Sequence, residues 1–330
     1  HLKARRVTEI HWGGGTPTWL SAEELARLQD AIAERFELTA DREQSIEIDP
    51  RVTKYEQLVA LRQRGLNRVS LGVQDVDPQV QEAVHRVQPL EVTEETVRQA
   101  RELGITGVNV DLIYGLPYQT PEKFQRTIDS VIKLDIDRVA LYNFAFFPDR
   151  LRHHKIIDES TLPLPETRIE LFRQATAQFT HAGYELIGLD HFAKSTDELA
   201  IAARSGTMQR NFMGYTTRAG SDLIALGVSS ISRVGRDFAQ NVKTNREYEE
   251  CIDNDRLPVE RGLRLSDEDL FRESIIQRLM CYGDVDLAAL EAKFGINLLA
   301  SPEAKRRLDE LLGDRLISLE SSRLRITPLG

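Results

Sequence analysis

The sequence predicts an α/β protein: a partial, open (β/α)6 barrel followed by a mostly helical, winged-helix-like domain. Between residue 7 and about residue 190, short apolar β-rich runs alternate six times with amphipathic helices. This alternation is typical of a parallel sheet with right-handed crossovers. Six units are fewer than the eight of a closed barrel, which favours a partial, open barrel over a doubly wound sheet. From residue 266 the pattern changes to three helices and a hairpin.

The elements of the barrel follow from this alternation. Strands are predicted at residues 7–12, 45–48, 68–73, 107–113, 138–143 and 184–189. Helices are predicted at residues 21–36, 53–64, 78–85, 93–103, 121–134 and 165–182. The strands read as mostly apolar on both faces, as buried parallel strands do.

Capping residues support several helix ends. Ser21 with Glu24 forms a capping-box pattern, and Thr120 before Pro121 reads as an N-cap followed by proline at the first helical position. Thr93 is a weaker candidate N-cap. Three helices are predicted to end just before a glycine: Gly65, Gly104 and Gly183.

We divide the chain into a barrel core (1–200), a barrel-flanking connection with an additional strand (201–265, strand at 222–232) and a winged-helix-like domain (266–330). The last domain is predicted from helices at 267–281, 286–294 and 301–312 and a hairpin at 316–326. Winged helices often bind DNA. Here the basic run at 305–307 is flanked by acids, which favours a packing or substrate-covering role.

Composition excludes some classes of function. The net charge of −9 and the pI of about 5.4 oppose nucleic-acid binding, which needs a basic face. No apolar run approaches the ~20 residues of a membrane helix. The two cysteines, Cys251 and Cys281, match no metal or redox spacing and indicate structural thiols in a reducing cytoplasm. Because the chain starts at His1, close to a strand, we interpret it as part of a longer protein.

Polar residues lie within or just after the carboxyl ends of all six predicted strands. They are the glycine run at 13–18, Glu47, Gln74 with Asp75, Asp111, residues 143–145, and Asp190 with His191. Parallel strands place their carboxyl ends at one edge of a sheet, where ligands bind. The pattern therefore predicts one cavity. The alternative is that these strands end in polar residues for no functional reason, as strands often do.

The chemistry of these residues suggests a small ligand. Three successive glycines fit a loop whose bare backbone contacts a ligand, and its carbonyls suit an ammonium group. No lysine follows shortly, so a nucleoside triphosphate is not indicated. The alternative is a tight turn without a ligand.

Three charged residues extend the hypothesis. Glu47 suits an ammonium or a ribose hydroxyl, but also reads as a solvated carboxylate. Asp111, inside an apolar strand, should be paired or coordinating, and a structural ion pair is its alternative. Arg86 can meet a carboxylate bidentately or be an ordinary surface arginine.

Several longer strings resemble the oxygen-independent coproporphyrinogen III oxidase family of the radical S-adenosylmethionine (SAM) superfamily. They cover residues 13–18, 45–50, 72–75, 110–117, 188–193, 210–217 and 227–232. The resemblance implies a partial (β/α)6 radical SAM barrel that converts two propionates of coproporphyrinogen III to vinyl groups, giving protoporphyrinogen IX. Hydrogen abstraction by a 5′-deoxyadenosyl radical, generated from SAM by a 4Fe–4S cluster, would explain why the sequence shows no nucleophile–base constellation.

The resemblance also implies two SAM molecules in one cavity. Gly14, Glu47 and Ile231 would contact the first. The second would be lined by Gly15, Thr16, Gln74, Arg86, Asp111 and Ala145. Basic groups for the carboxylates of the substrate are expected among four residues: Arg150, His191, Lys194 and Arg210.

One departure from the family is clear: the three closely spaced cysteines that would ligate the cluster are absent. We expect them upstream, the alternative being a chain that has lost its cluster. The further partners would be coproporphyrinogen III and a small electron-donor protein or reductant, and we expect a cytoplasmic monomer without nucleic-acid or membrane partners. A haem-binding or haem-trafficking relative, and a non-catalytic DNA-binding or scaffold protein, remain the competing hypotheses.

Overall fold

The computed structural model describes residues 6–330, apart from the side chain of His153. The chain forms two compact units, one ending at Ile201 and one running from Ala202 to Gly330. No helix in the described part of the chain is both long and apolar enough to cross a membrane.

The first unit contains a seven-stranded sheet with helices between its strands. Its strands are β1 (Arg6–Trp12), β2 (Glu37–Ile48), β3 (Arg68–Gln74), β4 (Gly107–Tyr114), β5 (Arg138–Asn143), β6 (Tyr184–Ile187) and β7 (His191–Lys194). Its helices are α1 (Ala22–Arg35), α2 (Tyr55–Arg62), α3 (Pro78–Ala83), α4 (Leu90–Glu102), α5 (Pro121–Lys133) and α6 (Pro165–His181). Helix α7 (Glu198–Ser205) crosses the boundary between the units.

The strand order is β1-β2-β3-β4-β5-β7-β6, so the sheet is open along the described chain. Strands β1 to β5 are parallel, as predicted. A sixth strand lies at the predicted place and, as β6, runs in the same direction as β1 to β5, but it ends at Ile187 rather than at residue 189 and does not pair with β5. The chain turns at Gly188, whose φ is +61°, and returns as β7. Strand β7 pairs antiparallel with both β5 and β6, so a hairpin ends the sheet.

The two faces of the sheet differ, which corrects the prediction of strands apolar on both faces. One face carries buried side chains packed with the helices: Ile46, Ile48, Val69, Leu71, Val73, Val108, Val110, Leu112, Val139, Leu141 and Phe192. The alternate positions carry Ser45, Glu47, Ser70, Asn109, Asp111, Arg138 and His191. The alternation is that of a half-buried strand, with a period of two. We call this second surface the polar face.

Local capping accounts for most helix boundaries. The Ser21 hydroxyl accepts a hydrogen bond from the Glu24 amide at 3.2 Å, and the Glu24 carboxylate accepts one from the Ser21 amide at 2.8 Å. Thr120 caps α5 as predicted. Thr93 does not cap a helix, because α4 already starts at Leu90. Its buried hydroxyl instead accepts a hydrogen bond from the side chain of Gln88, at 2.9 Å.

The second unit combines small antiparallel sheets with helices. It contains β8 (Gln209–Asn211), β9 (Gly214–Thr216), β10 (Ile231–Val234), β11 (Asp237–Asn241), β12 (Val259–Arg264), β13 (Asp284–Asp286), β14 (Ile317–Glu320) and β15 (Arg323–Ile326). Its helices are α8 (Asn245–Asp253), α9 (Asp267–Tyr282), α10 (Leu287–Phe294) and α11 (Pro302–Gly313). The predicted strand at 222–232 is wrong: it reduces to the start of β10 and one bridge between Leu223 and Arg233.

The predicted three helices and hairpin are present at the end of this unit. Strands β13, β15 and β14 form a sheet. The sequence analysis did not predict β13, because this strand is only three residues long. Four buried side chains form the core of this part: Val285, Leu287, Leu308 and Leu324.

Candidate active site on the polar face

Residues from neighbouring strands lie in register across the polar face. Two rows cross the sheet: Glu47–Ser70–Asn109–Arg138 and Gly72–Asp111–Ala140–His191. The strands are staggered, so Glu47 near the carboxyl end of β2 shares a row with Arg138 at the amino end of β5. We call Gly14, Glu47, Arg86 and Asp111 the carboxyl-end cluster, and Glu43, Arg68, Arg138 and Asp197 the amino-end cluster.

The glycine run after β1 needs its glycines for two different reasons. Gly14 and Gly15 have φ angles of +76° and +56°, which favour glycine, and a Cβ on either would have no heavy atom within 4 Å. Gly13 lacks a positive φ, but a Cβ there would lie 2.7 Å from Nε2 of His11 and 3.1 Å from the Glu47 carboxylate. The run thus combines a special backbone shape, open space and one close approach.

Glu47 is held at the edge of this loop by two contacts. Nε2 of His11 lies 3.3 Å from one carboxylate oxygen of Glu47, and the Gly14 amide donates to the other at 3.3 Å. Nδ1 of His11 lies 2.9 Å from the Ser45 hydroxyl. The hydrogen bond from His11 lowers the pKa of Glu47, although burial opposes it. Glu47 is therefore a carboxylate at neutral pH, close to a loop of bare backbone.

Asp111 stands on β4, one row from Glu47. Burial, and then the negative charge of Glu47, raise its pKa to about 6 from an ordinary value of 3.8. The Ser70 hydroxyl donates a weak hydrogen bond to it at 3.4 Å. The positive field of His191 acts in the opposite direction on this pKa, without cancelling the shift. A partly buried carboxylate whose charge is so weakly compensated is typical of a functional site.

Arg86 approaches this region from the connection after α3. Its guanidinium donates to the Gly72 carbonyl at 2.9 Å and to the Asp49 carboxylate at 3.1 Å. Arg86 contacts Asp49 through one nitrogen only, because Arg51 already donates to both oxygens of Asp49, so a bidentate contact with a ligand carboxylate stays a prediction. Burial lowers the pKa of Arg86, and its Nε is buried with no hydrogen-bond partner among the described residues.

Gln74 ends β3 in a conformation that few side chains adopt. Its φ is +67°, and the register between β3 and β4 shifts between Gly72 and Gln74. A Cβ at Gly72 would lie 2.9 Å from the Gln74 amide nitrogen and 3.0 Å from the Arg86 guanidinium. Gly72 therefore lets both side chains lie across the strand, a role that the sequence analysis did not assign to it.

At the amino end of the polar face, side chains of opposite charge form ion pairs. Arg68 lies 3.1 Å from Glu43, and Arg138 donates to Asp197 at 2.8 Å. Burial disfavours the ionised form of Glu43, but Arg68 and then Arg138 outweigh it and lower its pKa. We interpret this amino-end cluster as scaffold, with each cation facing a carboxylate.

The remaining predicted site residues are dispersed. Thr16 starts a short 3₁₀ helix after the glycine run, and Ala145 is exposed in the connection after β5. His191 lies 2.7 Å from Asp190 and meets the Tyr142 ring edge-on. Ile231 is the first residue of β10 in the second unit.

The basic candidates also separate. Lys194 pairs with Asp135 at 2.7 Å, and Asp135 precedes β5, so this lysine is at the amino end and its prediction as a substrate contact is wrong. The antiparallel direction of β7 explains the reversal. Arg150 is exposed above the Phe147 ring, and Arg210 stacks on Tyr215 in the second unit.

Sequence reasoning missed His11 and Ser45, which connect Glu47 to the sheet. Both precede the predicted strand ends, where the search for ligand groups stopped. A signal was present: His11, Ser45 and Glu47 alternate with apolar residues on neighbouring strands. Read with period two, this alternation places the three side chains on one face.

Family comparisons agree with these observations. Residues 1–131 match the family model of the radical SAM superfamily, and residues 265–330 match the model of the HemN C-terminal domain. The oxygen-independent coproporphyrinogen III oxidase of Pseudomonas aeruginosa is 42% identical over 334 residues, which cover 100% of this chain and 73% of that protein. This chain belongs to the oxygen-independent coproporphyrinogen III oxidase family. The Escherichia coli member is 39% identical, over 99% of this chain and 72% of that protein.

A solved structure supports the fold of this family member. The coproporphyrinogen III oxidase (HemN) of Escherichia coli, described as a radical SAM enzyme, matches with a TM-score of 0.92 at 39% identity, over 98% of this chain and 75% of that one. The predicted resemblance and the partial radical SAM barrel are therefore confirmed. Membership in the superfamily makes this chain an oxidoreductase that uses SAM and an iron–sulfur cluster.

The residues of this oxidase-family chain fit SAM better than they fit a cluster. A polar ligand with an ammonium and a carboxylate would suit three features: the open space over Gly14 and Gly15, the adjacent Glu47 carboxylate, and the Arg86 Nε, which has no hydrogen-bond partner within residues 6–330. By contrast, Cys251 and Cys281 are free thiols, and residues 6–330 contain no group of three His, Cys, Asp or Glu side chains that could hold a metal. The described residues therefore do not hold the cluster.

Proposed function

We propose that this protein catalyses the oxygen-independent oxidative decarboxylation of two propionates of coproporphyrinogen III, giving protoporphyrinogen IX. Two relatives at about 40% identity carry the name of this activity. The observation that carries the proposal is the carboxyl-end cluster. It combines an open glycine loop, a carboxylate against that loop and a second carboxylate whose burial raises its pKa to about 6.

The bond-breaking step of this reaction does not need a nucleophile paired with a base, and the sequence indicates no such pair. When bound, SAM would supply a radical able to abstract hydrogen from an unactivated carbon, which no side-chain acid or base can do. The residues of the chain would bind, orient and shield. Glu47 and the backbone after β1 would accept the ammonium of the amino acid moiety, and Gly14 would provide the left-handed backbone and the open space above it.

We assign the predicted site residues to two SAM molecules. Gly14, Glu47 and Ile231 would contact the first. The second would be lined by Gly15, Thr16, Gln74, Arg86, Asp111 and Ala145. The geometry that supports a second site is the group formed by Gly72, Gln74 and Arg86, one strand from Glu47, with the unpartnered Nε of Arg86 as a donor. A cation close to Asp111 would lower its raised pKa and keep it ionised.

Further proposals concern the cluster ligands, the partners and the domains. We propose that three cysteines upstream of residue 1 ligate a 4Fe–4S cluster, since the printed sequence has only two. We further propose a cytoplasmic monomer that receives electrons from a small donor protein or reductant and has neither nucleic-acid nor membrane partners. Its domains would be the core (1–200), the flanking connection (201–265) and the winged-helix-like domain (266–330).

Turnover by the full-length protein tests the reaction. The protein is purified and reconstituted with iron and sulfide under anaerobic conditions, then given dithionite, SAM and coproporphyrinogen III. Protoporphyrin fluorescence after oxidation, together with 5′-deoxyadenosine, is the expected result. Deoxyadenosine without protoporphyrin would contradict the proposed substrate, and a Soret shift on adding haem would then favour the haem-binding alternative. If the protein binds iron but forms neither protoporphyrin nor 5′-deoxyadenosine, the proposed reaction is contradicted.

A further inference from the structure

The connection after β5 presents apolar and basic side chains together. We call residues 144–157 the arm. Phe147, Leu151 and Ile156 are 49%, 38% and 62% exposed. Between them stand three exposed cations: Arg150, Arg152 and Lys155. Within the described part of the chain, none of these cations forms an ion pair. The arm also contains one exposed carboxylate, Asp149, so its formal net charge is +2 in a chain whose net charge is −9.

Contacts with the buried His154 side chain fix the conformation of the arm, so its exposed side chains have a defined position. His154 is buried, and its Nδ1 accepts a hydrogen bond from the Phe147 amide at 3.0 Å. The Phe146 ring stacks on the His154 ring, with 5.8 Å between ring centroids and 10° between planes. The Phe144 ring adds a tilted contact at 5.3 Å. Residues 152–156 form a 3₁₀ turn.

The arm also starts at the functional end of the sheet. The Phe144 amide donates to the Tyr114 carbonyl, at the end of β4, at 2.8 Å. Asp111 is on the same strand, three residues before Tyr114. Ala145, which we assign to the second SAM site, lies within the arm. A molecule held by the arm would therefore lie close to the carboxyl end of the polar face.

We propose that the arm binds the tetrapyrrole substrate through propionates that the reaction leaves intact. This inference rests on the proposed function. Coproporphyrinogen III has four propionates and an apolar ring system, and only two propionates are converted. Arg150, Arg152 and Lys155 match carboxylates in charge, and arginine forks bind them bidentately. The exposed apolar side chains match the ring system. This charge and surface complementarity favours the substrate over another protein as the occupant.

Binding of coproporphyrin III, the stable fluorescent form of the macrocycle with the same four carboxylates, tests the arm. The full-length protein is titrated as wild type and as the triple variant Arg150→Gln, Arg152→Gln, Lys155→Gln. We expect the variant to bind roughly tenfold more weakly, in line with three exposed charge pairs, and to show a smaller dependence on salt. The tetramethyl ester of coproporphyrin should bind wild type and variant equally.

A matched control uses three exposed cations of the first unit that form no ion pair within the described residues: Arg27→Gln, Lys133→Gln and Arg173→Gln. It removes the same charge and should leave affinity within about twofold. Equal affinity of the arm variant and wild type, or equal loss in the control, would overturn the inference.

The arm and the reaction can fail separately. If wild type forms protoporphyrinogen and the arm variant has an unchanged KM, the reaction stands and the arm is wrong. If wild type gives no product but the arm variant still loses coproporphyrin affinity, the arm stands and the reaction is wrong.

Discussion

Both ends of the polar face carry arginines and carboxylates, but the surroundings favour the ionised carboxylate Glu43 at one end and disfavour the ionised Asp111 at the other. In the amino-end cluster, Arg68 and Arg138 face Glu43 and Asp197 across short distances. In the carboxyl-end cluster, burial and the charge of Glu47 raise the pKa of Asp111 to about 6, and burial lowers the pKa of Arg86 although Asp49 faces it. Charges whose neighbours keep them ionised build a scaffold, whereas charges that the fold disfavours suit a ligand of complementary charge. The difference separates structure from site on one surface.

The largest effect on stability should come from breaking the amino-end cluster. Arg138→Met would leave Asp197 and Glu43 buried with one cation fewer. We expect unfolding free energy to fall by about 3–5 kcal/mol, measured by urea denaturation. The double variant Arg138→Met, Asp197→Asn is the control, because it removes both charges but keeps a side-chain oxygen for the Leu199 amide, which donates to Asp197 at 2.7 Å, and it should restore much of the loss. A single variant as stable as wild type would contradict a scaffolding role.

The close approach at Gly13 should be the next most sensitive feature. Gly13→Ala would push a Cβ to 2.7 Å from Nε2 of His11 and displace Glu47. We expect a loss of about 1–3 kcal/mol in stability and a weaker affinity for SAM, measured by thermal melts and calorimetry.

Gly313→Ala is the matched control for Gly13→Ala. Its Cβ would meet nothing within 4 Å and its φ is not positive. Equal effects of the two substitutions would show that the His11–Glu47 contact does not constrain the loop.

Replacing Asp111 should raise the stability of the protein and lower its activity. Folding raises its pKa from 3.8 to about 6, so the folded protein binds the proton more tightly and stability falls as pH rises between these values. Asp111→Asn should remove this fall and stabilise the protein at pH 7.5 by at most about 3 kcal/mol, while lowering turnover.

Unfolding measured from pH 3.5 to pH 8 checks this sign. The gain from Asp111→Asn should become small at pH 3.5, below the unfolded pKa of 3.8, because Asp111 is then mostly protonated in both states. A variant less stable than wild type at pH 7.5 would instead make Asp111 a structural residue.

The smallest effect should follow the loss of His11. His11→Ala removes the hydrogen bond that lowers the pKa of Glu47, so that pKa should rise toward its ordinary value. We expect a change of about 0.5–1.5 kcal/mol in the SAM affinity of the reconstituted protein. His11→Asn keeps a donor and should recover part of it. A pH profile of SAM affinity identical in wild type and His11→Ala would contradict the assignment.

Local signals were sufficient for most of the fold. The capping box at Ser21 and the Thr120-Pro121 pair marked helix starts, because capping depends on neighbours in sequence. Long-range pairing was not visible. Strand β2 starts at Glu37 rather than at Ser45, because its polar first half pairs with β1 through backbone groups. The hairpin of β6 and β7 read as one strand, since Gly188 sits inside an apolar run.

For the candidate site, residue types were predictable and contacts were not. Gly14, Glu47 and Asp111 stood out because glycine runs and buried carboxylates are costly. The partners of Arg86, and the need for Gly72 beneath it, depend on how a connection folds back over a strand. Such contacts between distant segments leave no periodic pattern in the sequence.

SAM binding by the reconstituted full-length protein tests the central claim most directly. Calorimetric titration compares wild type with Glu47→Gln, which keeps the shape of the side chain and removes its charge. We predict that Glu47→Gln weakens SAM binding by about tenfold or more with little change in melting temperature, because the residue serves a ligand and not the scaffold. Unchanged SAM affinity in Glu47→Gln would contradict the assignment of the carboxyl-end cluster as the site.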